Sequence, residues 1–239
     1  MVAVARSATA TSRDFRAQRE TARHCFPMKH GSRVSYNLIA GTSVERLAAL
    51  SDGIFGVAMT LLLLDLHVPA KELIRDEAGL THALLSLTPQ LFVYLMSFIT
   101  LGIFWVGQQT QLNHLERSDR QLTWIHLAFL FMVTLLPFST RLLADFIEFR
   151  PALLVYWLNL LLFGITLYTS WGRATRAGLV KDDLSYETRA AICSRIIVGQ
   201  LLYAFGALLC FFSTYRSIGF IILVQLNYAI APGEWRRKA

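Results

Sequence analysis

The sequence predicts an all-α, polytopic membrane protein with six transmembrane helices per chain and both termini cytoplasmic. Three observations carry this. Apolar residues make up 54% of the chain and charged ones only 16%, with mean hydropathy +0.45, against roughly 25% charged residues in soluble domains. The apolar residues come in long blocks, five of them near the ~20 residues that a bilayer core demands and a sixth that is shorter. Finally, the basic residues are sided. With six spans, the N-terminal tail, the second-to-third loop, the fourth-to-fifth loop and the C-terminus share seventeen Lys and Arg, and the opposite side has five. The positive-inside rule makes the richer side cytoplasmic, which also favours an even number of spans.

The elements follow in order. Residues 1–43 form a basic tail rich in Ala, Ser, Thr and Arg, with no apolar run, and read as disordered. The membrane domain covers 44–232, and 233–239 form a short cytoplasmic C-terminal tail. The first span runs from about Val44 to Leu66, with Asp52 as its only interior charge. The second starts near Pro89, a residue suited to a first helical turn, and runs to about Gln109. The third covers about Leu122 to Leu142, and Pro137 is expected to kink its end. The fourth extends from Pro151 to Trp171, bracketed by the aromatics Trp157 and Trp171. The fifth spans about Ala190 to Phe212, with Arg195 near its cytoplasmic end, where it can snorkel. The sixth, Ile218 to Ile230, is short, and the link Ser213–Ser217 favours a tight helical hairpin.

Composition also narrows the function classes. The net charge of +7 is accounted for by membrane topology, so no nucleic-acid partner is expected. Cys25, Cys193 and Cys210 form neither a disulfide framework nor a Cys-x-x-Cys pair, and buried thiols act as small hydrophobes. His126 stands alone in the third span with no His or Cys at i+3 or i+4, which reads as a core residue rather than a metal ligand. His114 falls in a polar loop. Gly102, Gly107, Gly199 and Gly206 have spacings that allow close helix approach. There is no phosphate loop, nucleophile elbow or metalloprotease motif, and neither a cofactor nor enzymatic activity is expected.

The first span carries the specific message. Arg46-Leu47-Ala48-Ala49-Leu50-Ser51-Asp52-Gly53 leads into an Ile/Leu/Thr-rich run ending Leu61-Leu62-Leu63-Leu64-Asp65-Leu66. A helix turns about 100° per residue. With Val57 at zero, Gly53 falls at about −40°, Thr60 at about −60°, Leu64 at about −20° and Leu50 at about +20°, with Asp52 at about −140°. The stripe Gly53, Val57, Thr60, Leu64 fits two readings, a helix-packing seam or a hydrophobic constriction that gates by dewetting. Pattern alone favours the seam. Asp52, off the stripe, reads as an anchor for a hydrogen-bond network with Ser51, Trp105 and His126, in preference to an ion-binding or proton-relay role. Arg46 falls on the stripe. Two readings stay open for it: bending toward Asp52 or Glu45, or tuning the inner mouth.

This segment resembles the transmembrane protein 175 family, whose first helix carries Arg-x-x-x-Phe-Ser-Asp, a small residue and an Ile/Leu/Thr-rich run. The match is close over about twenty residues, and weaker agreement continues to about Trp105. The resemblance implies a potassium-favouring cation channel whose first helices line the pore, and with one six-helix unit per chain it implies a homotetramer. It shifts the stripe reading from seam to pore. Two departures stand out: Leu50 replaces the family's Phe, and Gln108-Gln109 replace a His pair often seen after the second helix's Trp.

The expected function is therefore a tetrameric channel in the plasma membrane, passing potassium or other monovalent cations and closed or filtered by apolar rings. No Thr-Val-Gly-Tyr-Gly-like filter loop is present. The alternatives are a secondary transporter or proton-conducting carrier, which lacks the expected repeats and broken helices, and a non-conducting membrane scaffold. A membrane enzyme would need a cluster of titratable residues, and Asp52 stands nearly alone.

Overall fold

The computed structural model describes residues 43–64, 66 and 74–230. The expected tails at 1–43 and 233–239 therefore lie almost wholly outside the described residues. Among these, seven α-helices follow one another: α1 Val44–Leu64, α2 Glu77–Ser86, α3 Thr88–Asn113, α4 Arg120–Asp145, α5 Arg150–Arg176, α6 Tyr186–Leu208 and α7 Thr214–Ile230, with a 3₁₀ turn at Leu209–Phe211. Five segments are long and apolar enough to cross a membrane: α1, α3, α4, α5, and α6 with its 3₁₀ turn. The observed helices overrun the apolar windows, α5 by several residues at its basic end, because backbone hydrogen bonding continues into the polar turns beyond the hydrocarbon.

α7 has 17 residues, so at about 1.5 Å per residue it reaches about 26 Å against a hydrocarbon core of roughly 30 Å. It starts four residues earlier than the apolar block. Ser217, expected in the link, lies inside it and donates to the Gly206 carbonyl at 2.6 Å. The α6–α7 turn is correspondingly tighter. A Cβ on Gly206 would stand 2.9 Å from Ile221 and 3.1 Å from Phe220, while Gly102 and Gly107 face open space. Gly206→Val is thus expected to destabilise the protein by about 1–3 kcal/mol through overpacking, read as a lower denaturation midpoint in detergent.

α2 was not expected. Asp76 caps it by accepting from the Gly79 amide at 2.7 Å, and none of its side chains is buried. Leu87 ends α2 and opens α3, with Pro89 in the first turn of α3.

α3 is the central element: it packs against α1, α4, α5 and α7, while α4–α5, α5–α6 and α6–α7 pair in sequence. The main core gathers Phe55, Met96, Phe104, Phe129, Tyr156 and Phe163, with Phe104 stacked on Phe163 at 4.6 Å between ring centroids. α4 passes through Pro137 and continues to Asp145. Asn159 of α5 serves the turn before that proline. With its amide oxygen toward the donors, it accepts from the Leu136 amide and the Ser139 hydroxyl, each at 3.2 Å, and donates to the Met132 carbonyl at 3.3 Å. Neighbouring polar side chains are how a proline is accommodated inside a spanning helix.

A second cluster, including Leu112, Leu115, Trp171 and Val180, closes the end where α3–α4 and α5–α6 connect. Trp171 is 1% exposed and donates to the Arg189 carbonyl, so it is a core residue of this end. Gly178 has φ +62°, and the Leu179 amide reaches back to the Ala174 carbonyl at 3.0 Å. This is a Schellman ending that glycine adopts without strain. It delivers Leu179 and Lys181 to pair with the 114–116 segment, through Glu116 N–H to the Leu179 carbonyl and Lys181 N–H to the His114 carbonyl.

Asp119 locks the same end. It caps α4 through the Leu122 amide at 2.7 Å and receives the Arg173 guanidinium of α5. Partial burial pushes its carboxyl up, but the Arg173 hydrogen bond, the Leu122 amide and the guanidinium charge together hold it below the usual carboxylate range. A carboxyl depressed on folding stabilises above its unfolded value and loses that contribution as pH falls through its folded value. Asp119→Asn is therefore expected to lower the thermal midpoint at neutral pH, with the gap to the parent closing below about pH 4.

Candidate functional site

α1 is held along one side only. Leu47, Ser51, Phe55, Ala58 and Leu62 are buried, repeating at three- and four-residue steps that face α3 and α4. The opposite side carries the whole predicted stripe: Gly53, Val57, Thr60 and Leu64 are all exposed, Val57 at 59% and Leu64 at 77%. The Thr60 hydroxyl donates to the Val57 carbonyl at 2.8 Å, so its proton is already engaged and its oxygen is left as an acceptor. A shallow apolar recess runs along this side beneath Leu50, Gly53 and Val57, with Thr134 of α4 at its edge.

Two polar clusters fasten α1 to its neighbours, and they divide the residues expected in a single network. Ser51, fully buried, donates to the Leu47 carbonyl at 2.8 Å. It lies 2.8 Å from His126 Nε2 of α4 and accepts from Gln108 Nε2 of α3 at 2.8 Å. Asp52 faces elsewhere. Its Oδ1 accepts from Trp105 Nε1 and from Gln109 Nε2, both at 2.8 Å and both from α3. Ser51 and His126 are thus not partners of Asp52.

The Gln108-Gln109 pair, visible in the sequence only as a departure from the family pattern, supplies one arm to each cluster. With Trp105, these residues fall at i, i+3 and i+4, a spacing that places them on one face of α3. Asp52 is itself exposed on the single chain. Arg46 is exposed, and its guanidinium pairs with neither Asp52 nor Glu45 among the described residues; the Glu45 carboxylate instead accepts from Ser43.

Farther along α3 lies a third polar cluster that the sequence reading did not single out. Thr140 donates to Ser97 at 2.8 Å, Thr100 lies 3.0 Å from the Tyr156 hydroxyl, and Gln225 of α7 donates to Thr100 at 2.6 Å. All five are fully buried. The signal was a polar residue inside an apolar block, which must find a partner when water is excluded. No group of three or more His, Cys, Asp or Glu placed to hold a metal occurs among the described residues.

Several apolar spanning helices, one of them attached by a single side, define a multi-pass helical membrane protein with a free face on its first helix. Residues 46–137 match the family model described as "Endosomal/lysosomal potassium channel TMEM175". The chain is 32% identical over 189 residues to a potassium channel of Streptomyces collinus, covering 77% of this chain and 90% of that protein. It is 30% identical to a potassium channel of Chamaesiphon minutus, covering 77% and 93%. Its fold is similar to the crystal structure of a lysosomal potassium-selective channel TMEM175 homolog from Chamaesiphon minutus, with TM-score 0.69 and 29% identity over 79% of this chain and 97% of that one. The chain belongs to the TMEM175 family. Its relatives are ion channels by name, not enzymes.

Proposed function

We propose that the chain is a potassium-favouring cation channel in which four copies surround a pore lined by α1. The observation that carries this reading is the one-sided burial of α1. A spanning helix whose opposite side exposes Gly53, Val57, Thr60 and Leu64 presents a small residue, an apolar ring position, a hydroxyl and a second apolar ring position in axial order. Four copies would place Val57 and Leu64 as dewetting constrictions with Thr60 hydroxyls between them. The names of the relatives support the same class and the same ion. Between Gly53 and Leu64 the free side has no titratable group, which favours cation conduction over a proton-relay carrier.

In this reading α7 completes six spans, both termini are cytoplasmic by the Lys and Arg distribution, and the assembly resides in the plasma membrane. Arg46, exposed at the cytoplasmic end of α1, tunes the entrance. Purified protein in liposomes should dissipate a potassium gradient without any counter-substrate, faster than a sodium gradient, and should run in detergent as a tetramer. Flux that requires a second solute, or a monomer as the conducting species, would overturn the proposal.

A further inference from the structure

α3 and α6 each pack on α5 and α7, and a groove remains between them. Val106 of α3 and Arg195 of α6, both exposed, stand on its two walls. Its floor is apolar and includes Phe104, Leu167 and Tyr203. From Ile192 to Tyr203 the groove follows α6 for about 16 Å, at about 1.5 Å per residue. Both walls belong to spanning segments, so the groove lies at membrane depth.

Arg195 is the only charged residue among the described lining. Its guanidinium stands 5.4 Å from the Tyr228 ring centroid, a contact that holds a cation without neutralising it. Among the described residues no carboxylate pairs with Arg195, and none of its N–H groups has an acceptor. The spanning segment Tyr186–Phe211 has 26 residues, about 39 Å, against a hydrocarbon core of roughly 30 Å. With the segment centred, the Arg195 backbone lies about 9 Å inside that core. A cation at such depth reaches back to the interface or draws an anion down to itself. One turn deeper on α6, a Cβ on Gly199 would stand 3.5 Å from the Tyr228 hydroxyl. That hydroxyl also lacks a hydrogen-bond partner among the described residues.

We propose that this groove seats an anionic glycerophospholipid of the leaflet on the side where α6 begins. Going inward, the groove offers a cation, a hydroxyl donor and an apolar floor. A glycerophospholipid presents a phosphodiester, an ester carbonyl and an acyl chain in the same order. The Arg195 guanidinium meets the phosphodiester through two parallel N–H groups, the pairing that suits its planar fork. The Tyr228 hydroxyl donates to the ester carbonyl, and part of one acyl chain lies over Phe104, Leu167 and Tyr203. No carboxylate occurs in the described lining, and the face of Tyr228 is taken by Arg195. A choline headgroup would therefore bring a second cation beside the guanidinium with nothing to pair it, and a headgroup without a cation is preferred.

The test uses the full chain, delipidated in detergent and titrated with dioleoyl phosphatidylglycerol or dioleoyl phosphatidylcholine, with bound lipid counted by native mass spectrometry. Phosphatidylglycerol should saturate at one per chain and bind roughly tenfold tighter than phosphatidylcholine, the size of one charge-assisted hydrogen bond. Arg195→Gln should erase that preference, whereas Arg117→Gln, the same charge change at an exposed loop position outside the groove, should leave it. Tyr228→Phe should weaken both lipids by about fivefold, one hydrogen bond to a group they share. Gly107→Leu should remove the saturable step for both, because a Cβ at this lining position meets nothing within 4 Å and the side chain fills the groove without a clash. Thermal midpoints in lipid-free detergent should match the parent for Arg195→Gln and Gly107→Leu, which separates lost binding from lost folding. Equal affinity for the two lipids in the parent would overturn the site. So would an Arg195→Gln effect no larger than that of Arg117→Gln, or undiminished phosphatidylglycerol binding in Gly107→Leu.

Discussion

Leu64→Asn is expected to raise cation flux in liposomes about tenfold or more, a barrier reduction of at least roughly 1.4 kcal/mol. It should also narrow the preference for potassium over sodium. A hydrated cation passing an apolar ring sheds solvent contacts that the ring does not replace, so the barrier follows side-chain size and polarity. Leu64 is the most exposed large apolar residue of α1, at 77%, ahead of Leu63 at 69% and Val57 at 59%. It is also larger than Val57, so in the proposed pore it would form the tighter ring.

Leu63 is exposed too and so does not face the bundle, which makes Leu63→Asn a control for an exposed position about 100° from Leu64 around the helix. It should alter flux by less than about threefold by the same barrier arithmetic. The bundle-facing neighbour is Leu62, 2% exposed, and polar substitution there should impair folding rather than conduction. Equal flux from the Leu63 and Leu64 variants at matched protein density would withdraw the pore-lining assignment.

What the sequence disclosed and what it hid have distinct physical origins. The spanning helices were legible because excluding water forces the backbone to satisfy itself, and the resulting apolar blocks need no tertiary information. Helix ends were less so: α5 runs to Arg176 and α6 begins at Tyr186, in polar turns where hydropathy is silent. α2 was invisible for a related reason, since it is ten residues long and buries no side chain.

Within the site, the period of α1 placed Gly53, Val57, Thr60 and Leu64 on one line, but a line does not say which neighbour it faces. Only packing shows that Leu47, Ser51, Phe55, Ala58 and Leu62 take the contacts. The polar partners were the hardest. Ser51 and Asp52 are adjacent in sequence and point about 100° apart, so one network on paper becomes two in space. Gln108 and Gln109, also adjacent, divide between them for the same reason. The tightest glycine, Gly164, where a Cβ would stand 2.2 Å from the Gln200 side chain, had no distinguishing spacing at all.

That division separates the expected effects of Ser51→Ala and Asp52→Ala. Ser51 is fully buried and is the shared partner of His126 and Gln108. Removing its hydroxyl leaves both without that partner in an apolar interior, where each unmet group costs about 1–3 kcal/mol. The Gln108 carbonyl oxygen is already without a partner, so the cluster has little slack. Ser51→Ala is therefore expected to weaken the single subunit, lowering its denaturation midpoint in detergent whatever the oligomeric state.

Asp52 differs because it is exposed on the isolated chain while accepting from Trp105 and Gln109. An exposed carboxylate on a spanning helix is costly against lipid, and in the proposed tetramer a neighbouring subunit would cover it. Asp52→Ala is expected to shift the proposed tetramer toward smaller species with only a modest change in subunit stability. Asp52→Asn, which retains an oxygen acceptor for both donors, should restore most of the assembly. Subunit counting in detergent beside thermal denaturation of the same samples reads both effects. A stable Asp52→Ala tetramer with altered ion preference would place the carboxylate in the permeation path, and loss of assembly in Ser51→Ala at unchanged subunit stability would reverse the two roles.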